Sequence, residues 1–419
     1  MRIIFIKILI VFTMVFDSFA QSDELNPLVL TYEEAQQMVI EKNLQLVAAK
    51  YDIQIAEAQL KQARQWRNPL FAWNADLYSL ELNQFLNYRN QKLIQLEQVI
   101  SISGKHRNEV RLARINTDLA KLQVNDVLRG LLYECAIQYT ELQTQQQQEL
   151  LFEQSVTRME EVLTFAQEQF SKGNISGNEL TRLRTELLSL KTEQQQNKIA
   201  IEESSAALRI VMGIPDYVQI KTVIRERKLN EGVSLENIVE MAKKMRPDYQ
   251  LRKKNIEYEE QNLKLQKSNA IPDFNFGYQP HDKGSNYVRP YSGIVFEMSI
   301  PIFDRNQGGI QEAKVRVKQA ESNLKFIDME IEQEVSSGYR KFQLQQEGLN
   351  RYSQSIILEL EEFNSRSLNS YNNRLINILE FIDQQRIYIE TKSQQIELLN
   401  AYHQSVNELN FKIGTKILE

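Results

Sequence analysis

The sequence predicts a mainly α-helical protein, built twice over, with a small β part of membrane-barrel character. Three observations predict it. Landmarks recur about 200 residues apart along the 419-residue chain. Two pairs of short stretches alternate apolar and polar residues with period two, as half-buried strands do. Four long stretches repeat apolar residues at spacings of three and four, as amphipathic helices do. Only 14 Gly and 8 Pro occur in the whole chain, which favours long uninterrupted helices over many turns.

The duplication rests on several landmarks. The frame Ser-Ile-x-x-x-x-Arg-Asn at Ser101 to Asn108 returns at Ser299 to Asn306, 198 residues on (299 − 101). Pro69 answers to Pro272 at an offset of 203, and Phe170 to Tyr371 and Gly213 to Gly414 at 201. A period this long reads as a duplicated half-protein, not as a solenoid unit. The halves are predicted as 21–233 and 234–419. Ahead of them, Arg2 and Lys7 accompany the apolar run Ile3 to Phe16, and Ser18-Phe19-Ala20 forms a small-x-small site. That is a secretory signal with cleavage after Ala20. The next residue is Gln21 and not Cys, so the cut leaves no thiol to lipidate.

In chain order, Thr31 followed by Glu33 and Glu34 starts a helix with a cap and acids that suit its dipole. It is predicted to run to about Trp66, and Pro69 stops it. Phe71, Trp73, Ala75 and Leu77 then alternate with Ala72, Asn74, Asp76 and Tyr78, a strand over about 70–80. Leu80 to Lys92 reads as a polar loop, and Ile94, Leu96, Ile100 and Ile102 mark a second strand over about 93–102. A helix over about 105–172 follows, with Leu112, Ile115, Leu119 and Leu122 on its stripe. Gly173 permits the left-handed residue that ends it, and Ser176 caps the return over about 178–212. Residues 214–232 read as an irregular connection. The second half repeats the order: a helix from Ser234 to about Ala270, strands over about 273–279 and 291–301, and helices over about 305–369 and 375–413.

Four amphipathic strands of barrel length cannot close alone, since single-chain barrels begin at about eight. Open strand edges are not tolerated in lipid. Strands of this kind in a membrane therefore require several chains sharing one barrel. The alternative is an exported coiled-coil scaffold with no channel. Net charge is −5, which leaves no basic footprint for nucleic acid. Past the N-terminus no run of about 18 apolar residues predicts a helical membrane span. The single cysteine, Cys135, allows no intrachain disulfide and sits in an apolar stripe. His106, His281 and His403 are scattered, without metal-ligand spacing. Gln307-Gly308-Gly309 lacks the lysine of a phosphate loop. No enzyme and no cofactor is predicted.

The duplicated layout, the strand-to-helix junctions 101–108 and 299–306, and the turns after Phe170 and Tyr371 together resemble the TolC family of outer-membrane efflux channels, over nearly all of the chain. The resemblance implies a homotrimer in the outer membrane of a Gram-negative bacterium, each chain lending four strands to one barrel. The helices would form a tunnel through the periplasm, docked to a periplasmic adaptor and an inner-membrane pump. It also implies site residues. Glu380 and Asp383 lie nine and twelve residues after Tyr371 and would form carboxylate rings at the tunnel constriction; a spacing of three puts both on one helix face. Glu179, nine residues after Phe170, and Tyr371 are candidates for a latch between the two tips. The family's latch arginine falls on Ile376 here, and Arg374 is the candidate replacement. Gly173, Asn174, Ile175, Leu375 and Ile376 are the candidate adaptor contacts.

Overall fold

The structure, a computed structural model, describes residues 27–79, 83–224, 234–282, 291–352 and 354–418. The predicted signal stretch 1–20 lies outside them. The elements run β1 (Leu28–Leu30), α1 (Tyr32–Lys42), α2 (Leu44–Ala63), β2 (Leu70–Ser79), β3 (Gln84–Ile100), α3 (Lys105–Ser171) and α4 (Gly177–Met212). There follow β4 (Ile220–Thr222), α5 (Leu235–Met245), α6 (Pro247–Asn269), β5 (Phe274–Asp282), β6 (Tyr291–Met298), α7 (Gln307–Asn350), α8 (Gln354–Asn372) and α9 (Ile378–Ile413). The stretch 214–232 contains β4, which pairs in parallel with β1. Strands of three residues are too short to leave a period-two signal.

The first helix of each half is two helices. Thr31 starts α1 with a reciprocal capping box to Glu34. Asn43 breaks it with an extended backbone, φ −63° and ψ 118°. The Asn43 side chain accepts from the Leu46 N–H at 2.9 Å and donates to the Val211 carbonyl at 2.8 Å. In the second half Arg246 has nearly the same backbone, φ −69° and ψ 122°. Its successor is Pro247, whose ring disfavours the helical region for the residue before it. Each kink receives the end of its half's last helix. Gly213 and Gly414 stop α4 and α9 with φ of 71° and 80°. A Cβ on Gly213 would lie 2.4 Å from the Lys42 carbonyl oxygen, and one on Gly414 3.1 Å from the Arg246 backbone.

The 67 residues of α3 make a rod about 100 Å long. It packs along α2, α4, α6 and α9. The second rod, predicted as one helix over 305–369, breaks between α7 and α8. The sequence there is Gly348-Leu349-Asn350-Arg351-Tyr352-Ser353, poor in helix formers, where the first rod has Gln147-Gln148-Glu149-Leu150-Leu151-Phe152. The Arg351 and Tyr352 N–H groups bond to Gly348 and Leu349, three residues back, at 3.2 and 3.0 Å, which tightens the helix end.

The four longer strands form one antiparallel sheet in the order β2-β3-β5-β6. Much of the predicted loop Leu80 to Lys92 is strand, since β3 starts at Gln84 and pairs back with Ser79. The sequence there is polar without alternation, so the hydrogen-bonded ladder outlasts the periodic signal. A register shift lies between Ala75 and Asp76. Phe71, Leu96, Tyr278 and Ile294 make a row across all four strands, and Phe276–Phe296 and Phe274–Met298 lie in adjacent rows on that face. The opposite face carries Glu97–Gly277–Val295 and Asn275–Glu297. The apolar face is bare: Phe71 is 64% exposed, Ile294 70% and Phe296 61%.

Three apolar clusters hold the helices. One joins β1, β4, α1, mid-α3 and the end of α4 around Leu30, Val39, Leu208 and Met212. Cys135 is buried in it, and burial, helped by Glu134, pushes the thiol up to about 12. Another joins α5, α7 and α9 around Ile238, Ile331 and Leu409. The third is at the tips. Between the halves lies an ionic cluster. Buried Arg246 donates to both Asp248 oxygens at 3.0 and 2.6 Å, to Glu334 at 2.6 Å and to the Lys412 carbonyl at 3.2 Å. Arg129 of α3 bridges Asp126 at 2.8 Å and Asp248 at 3.1 Å, and sits 4.4 Å over the Phe411 ring. Burial alone would raise the Asp248 carboxyl; the Arg246 hydrogen bonds and the charges of Arg129 and Arg246 outweigh it and hold it below its ordinary value.

Candidate functional site: the helical tips

Two turns meet at the end of the rods away from the sheet, and their backbones are copies. After α3, the Gly173 N–H bonds to Phe170 and the Asn174 N–H to Gln169, both at 2.9 Å. After α8, the Arg374 N–H bonds to Tyr371 at 2.9 Å and the Leu375 N–H to Ser370 at 2.8 Å. The left-handed residue is Gly173 (φ 72°) in one turn and Arg374 (φ 60°) in the other. Glycine takes that conformation freely; an L-residue with a side chain pays about 1–2 kcal/mol for it.

Arg374 uses the side chain that glycine lacks. Its guanidinium donates to Gln169 Oε1 across the tip, and Asn174 Nδ2 donates to the same oxygen at 2.8 Å. Gln169 is buried and ties the turns together. The sequence reading missed it; the only hint was its place beside the landmark Phe170. Below this contact Tyr371 is buried edge-on to Phe165 at 5.9 Å and beside Phe381 at 5.1 Å. Burial, then the charge of Glu179, raises the Tyr371 hydroxyl pKa.

Glu179 and Glu380 hold equivalent positions. Each is the third residue of its helix and closes a capping box. Glu179 Oε2 accepts from the Ser176 N–H at 2.7 Å, and Glu380 Oε2 from the Asn377 N–H at 3.1 Å. The cross-tip partner of Arg374 is therefore Gln169, while the Glu179 carboxylate serves its own helix. Glu380 and Asp383 both stand exposed on α9. The first half offers no such pair: the counterpart of Asp383, at the offset of 201, is Arg182. Next along, exposed Arg386 bridges to Glu186 of α4 at 2.8 Å, another contact the sequence reading missed. Of the candidate adaptor contacts, Gly173 and Asn174 are exposed, Ile175 and Ile376 half-buried, and Leu375 is 76% exposed, an apolar knob at the extreme end.

Comparison with known proteins gives the fold a context. Residues 35–214 match the family model described as outer membrane efflux protein. A membrane protein of Pseudomonas aeruginosa superposes with a TM-score of 0.76 at 16% identity, over 91% of this chain and 92% of the other. CusC, in structures described by their conformational changes on folding and transmembrane channel formation, superposes with a TM-score of 0.72 at 17% identity, over 95% and 96%. The Campylobacter jejuni CmeC outer membrane channel gives 0.74 at 14%, over 91% and 85%. No curated protein matches at the level of sequence. The structural likeness spans both halves, whereas the family model covers only the first.

Proposed function

We propose that this chain, which carries the outer membrane efflux protein domain on a TolC-like fold, is the outer-membrane conduit of a tripartite efflux system. The observation that carries the proposal is the sheet: four strands with one apolar and one polar face, two open edges at β2 and β6, at the end of rods about 100 Å long. Open edges are not tolerated in lipid. The β6 edge of one chain therefore meets the β2 edge of the next, and three chains close one barrel with the polar rows of Glu97 and Glu297 toward the lumen. The rods extend through the periplasm, after export directed by residues 1–20. The tips dock a periplasmic adaptor, with Leu375 as the apolar contact, and pass cargo from an inner-membrane pump. Three copies each of Glu380 and Asp383 ring the narrow end. Arg374 and Gln169 hold the two turns of each chain together, in place of the latch that Glu179 would supply.

The test is extraction and mass. Membranes carrying the protein are washed with carbonate, then solubilised in mild detergent for light scattering. Resistance to the wash and a mass of three chains are expected. A protein that washes off is the coiled-coil scaffold, and a folded, conducting monomer sinks the shared barrel.

A further inference from the structure

We propose that the strand–helix junctions form a basic girdle that binds the phosphates of anionic phospholipids in the periplasmic leaflet of the membrane. The proposal rests on the barrel reading above. One layer of contacts defines the girdle's level. Trp66 stacks on His106 at 4.5 Å, Asp273 pairs with Lys105 at 3.0 Å, and Asn306 donates to the Gln266 carbonyl at 2.8 Å. On this layer sit bare apolar side chains: Trp66 is 72% exposed, Ile300 73% and Phe303 89%. Amphipathic aromatics collect where lipid meets water.

Beside them stand four exposed guanidinium groups, Arg64, Arg67, Arg107 and Arg305. The chain as a whole is acidic at −5, yet residues 61–69 hold Lys61, Arg64 and Arg67 and no acid, and residues 101–114 hold four Lys or Arg against Glu109 alone. The two aspartates at hand, Asp273 and Asp304, are already engaged. Asp273 is taken by Lys105, and its 3.7 Å approach to Arg67 leaves that side chain 65% exposed. Asp304 accepts from the Asn306 N–H within its own turn at 2.8 Å. Among the described residues no carboxylate lies within ion-pair distance of Arg64, Arg107 or Arg305.

The Trp66–Arg67 part of the girdle also lies against the apolar face of the sheet. Gln98 belongs to the apolar rows, paired with Phe276, and its side chain donates to the Arg67 carbonyl at 3.1 Å. The linker carrying Trp66 and Arg67 thus crosses the apolar face at its lower edge. A guanidinium fork fits phosphate oxygens two at a time. Basic residues just outside the hydrocarbon are drawn to anionic headgroups.

The chain has two tryptophans, Trp66 in the girdle and Trp73 higher on the apolar face, so single-tryptophan variants separate the two claims. The full-length protein is placed in nanodiscs with phosphatidylglycerol or phosphatidylcholine brominated high on the acyl chain, at equal fractions. In Trp73→Phe, brominated phosphatidylglycerol should quench Trp66 roughly twofold more than brominated phosphatidylcholine. In Trp66→Phe both lipids should quench Trp73 alike. Adding Arg64→Gln, Arg67→Gln and Arg305→Gln to the Trp73→Phe variant should bring the Trp66 ratio to one. Equal quenching of Trp66 by both lipids, with Trp73 quenched, overturns the girdle and leaves the barrel standing; equal quenching is also the result if neighbouring chains' carboxylates cover the arginines. A lipid preference that survives the triple Gln change overturns the assignment of these arginines. If Trp73 is quenched by neither lipid, the barrel reading itself fails and the girdle falls with it.

Discussion

In the first half of the molecule a neutral amide holds the kink between helices; in the second a buried guanidinium does. Asn43 caps α2 and reaches the Val211 carbonyl. Arg246 meets Asp248, Glu334 and the Lys412 carbonyl. Yet the two kinks share their φ and ψ and both receive a left-handed glycine. The tips repeat the lesson with Gly173 against Arg374. The two halves share backbone conformation and docking geometry while their side-chain chemistry differs. Only the second half offers two carboxylates on one exposed face past its tip, since Glu380 and Asp383 correspond to Glu179 and Arg182.

The largest asymmetry should be at the kinks. Arg246→Met strips Asp248 of its two-pronged partner and should cost about 3–5 kcal/mol, against about 1 kcal/mol for Asn43→Ala. Both are read from unfolding midpoints of the detergent-solubilised protein, and equal losses would erase the difference between the halves. The pH dependence has a sign. The folded Asp248 carboxyl titrates below its unfolded value. Its contribution is therefore present above the ordinary carboxylate range and lost as pH falls through the depressed value. Acidification through that window should weaken the parent more than Arg246→Met.

The sheet is where the halves should agree. Phe71→Arg and Phe296→Arg both put a cation on the exposed apolar face and, if it meets lipid as proposed, should each cost about 2–4 kcal/mol, scored as lost trimer. Ser299→Arg, directed at the lumen, should be tolerated far better. Unequal losses at Phe71 and Phe296, or equal losses at Phe296 and Ser299, would mean the faces are misassigned.

At the helix ends the halves should differ in degree. Gly414→Ala should cost about 1–2 kcal/mol from its left-handed backbone. Gly213→Ala should cost more, because its Cβ also meets the Lys42 carbonyl oxygen at 2.4 Å. Thermal unfolding that ranks them the other way would show that the first kink yields.

At the tips two opposing terms nearly cancel. Arg374→Gly relieves about 1–2 kcal/mol of backbone strain and gives up a hydrogen bond worth about 1 kcal/mol. The unfolding midpoint should barely move, while hydrogen exchange across residues 169–175 should quicken. Unchanged exchange would mean that Arg374 ties nothing to Gln169.

The smallest effect on stability should go with the largest on the proposed conductance. Glu380→Ala combined with Asp383→Ala should cost less than about 1 kcal/mol, chiefly the lost cap. In planar bilayers it should weaken cation selectivity and the block by divalent cations from the periplasmic side, since acidic rings favour cations at a constriction. Glu179→Ala should leave both unchanged. A double variant that conducts and blocks like the parent removes these residues from the gate.

Some sequence landmarks kept their meaning in the structure and others changed it. Gly213 and Gly414, matched by offset alone, are equivalent left-handed caps. The Ser-Ile-x-x-x-x-Arg-Asn frame is not a structural equivalence. Gly104 caps α3 and Asn306 caps α7, 202 residues apart, whereas the frame pairs Asn306 with Asn108, which lies inside α3. That Glu380 and Asp383 share one exposed helix face was legible because a spacing of three has the same meaning along any helix. Gln169 was not, because nothing local marks a glutamine as the acceptor for two side chains.

The sequence by itself determined the four longer strands and their two faces, the long helices other than the break in the second rod, and the turns that join them. These are written in periodicity, which records burial along one element and needs no partner to be read. Tertiary structure decided the kink at Asn43, the joining of β3 to β5, and the tie from Arg374 to Gln169. Each of these is a hydrogen-bonding choice whose second party lies far along the chain, 168 residues from Asn43 to Val211 and 205 from Arg374 to Gln169. A backbone or side-chain donor commits to one acceptor only when packing brings it within reach and removes the competing water.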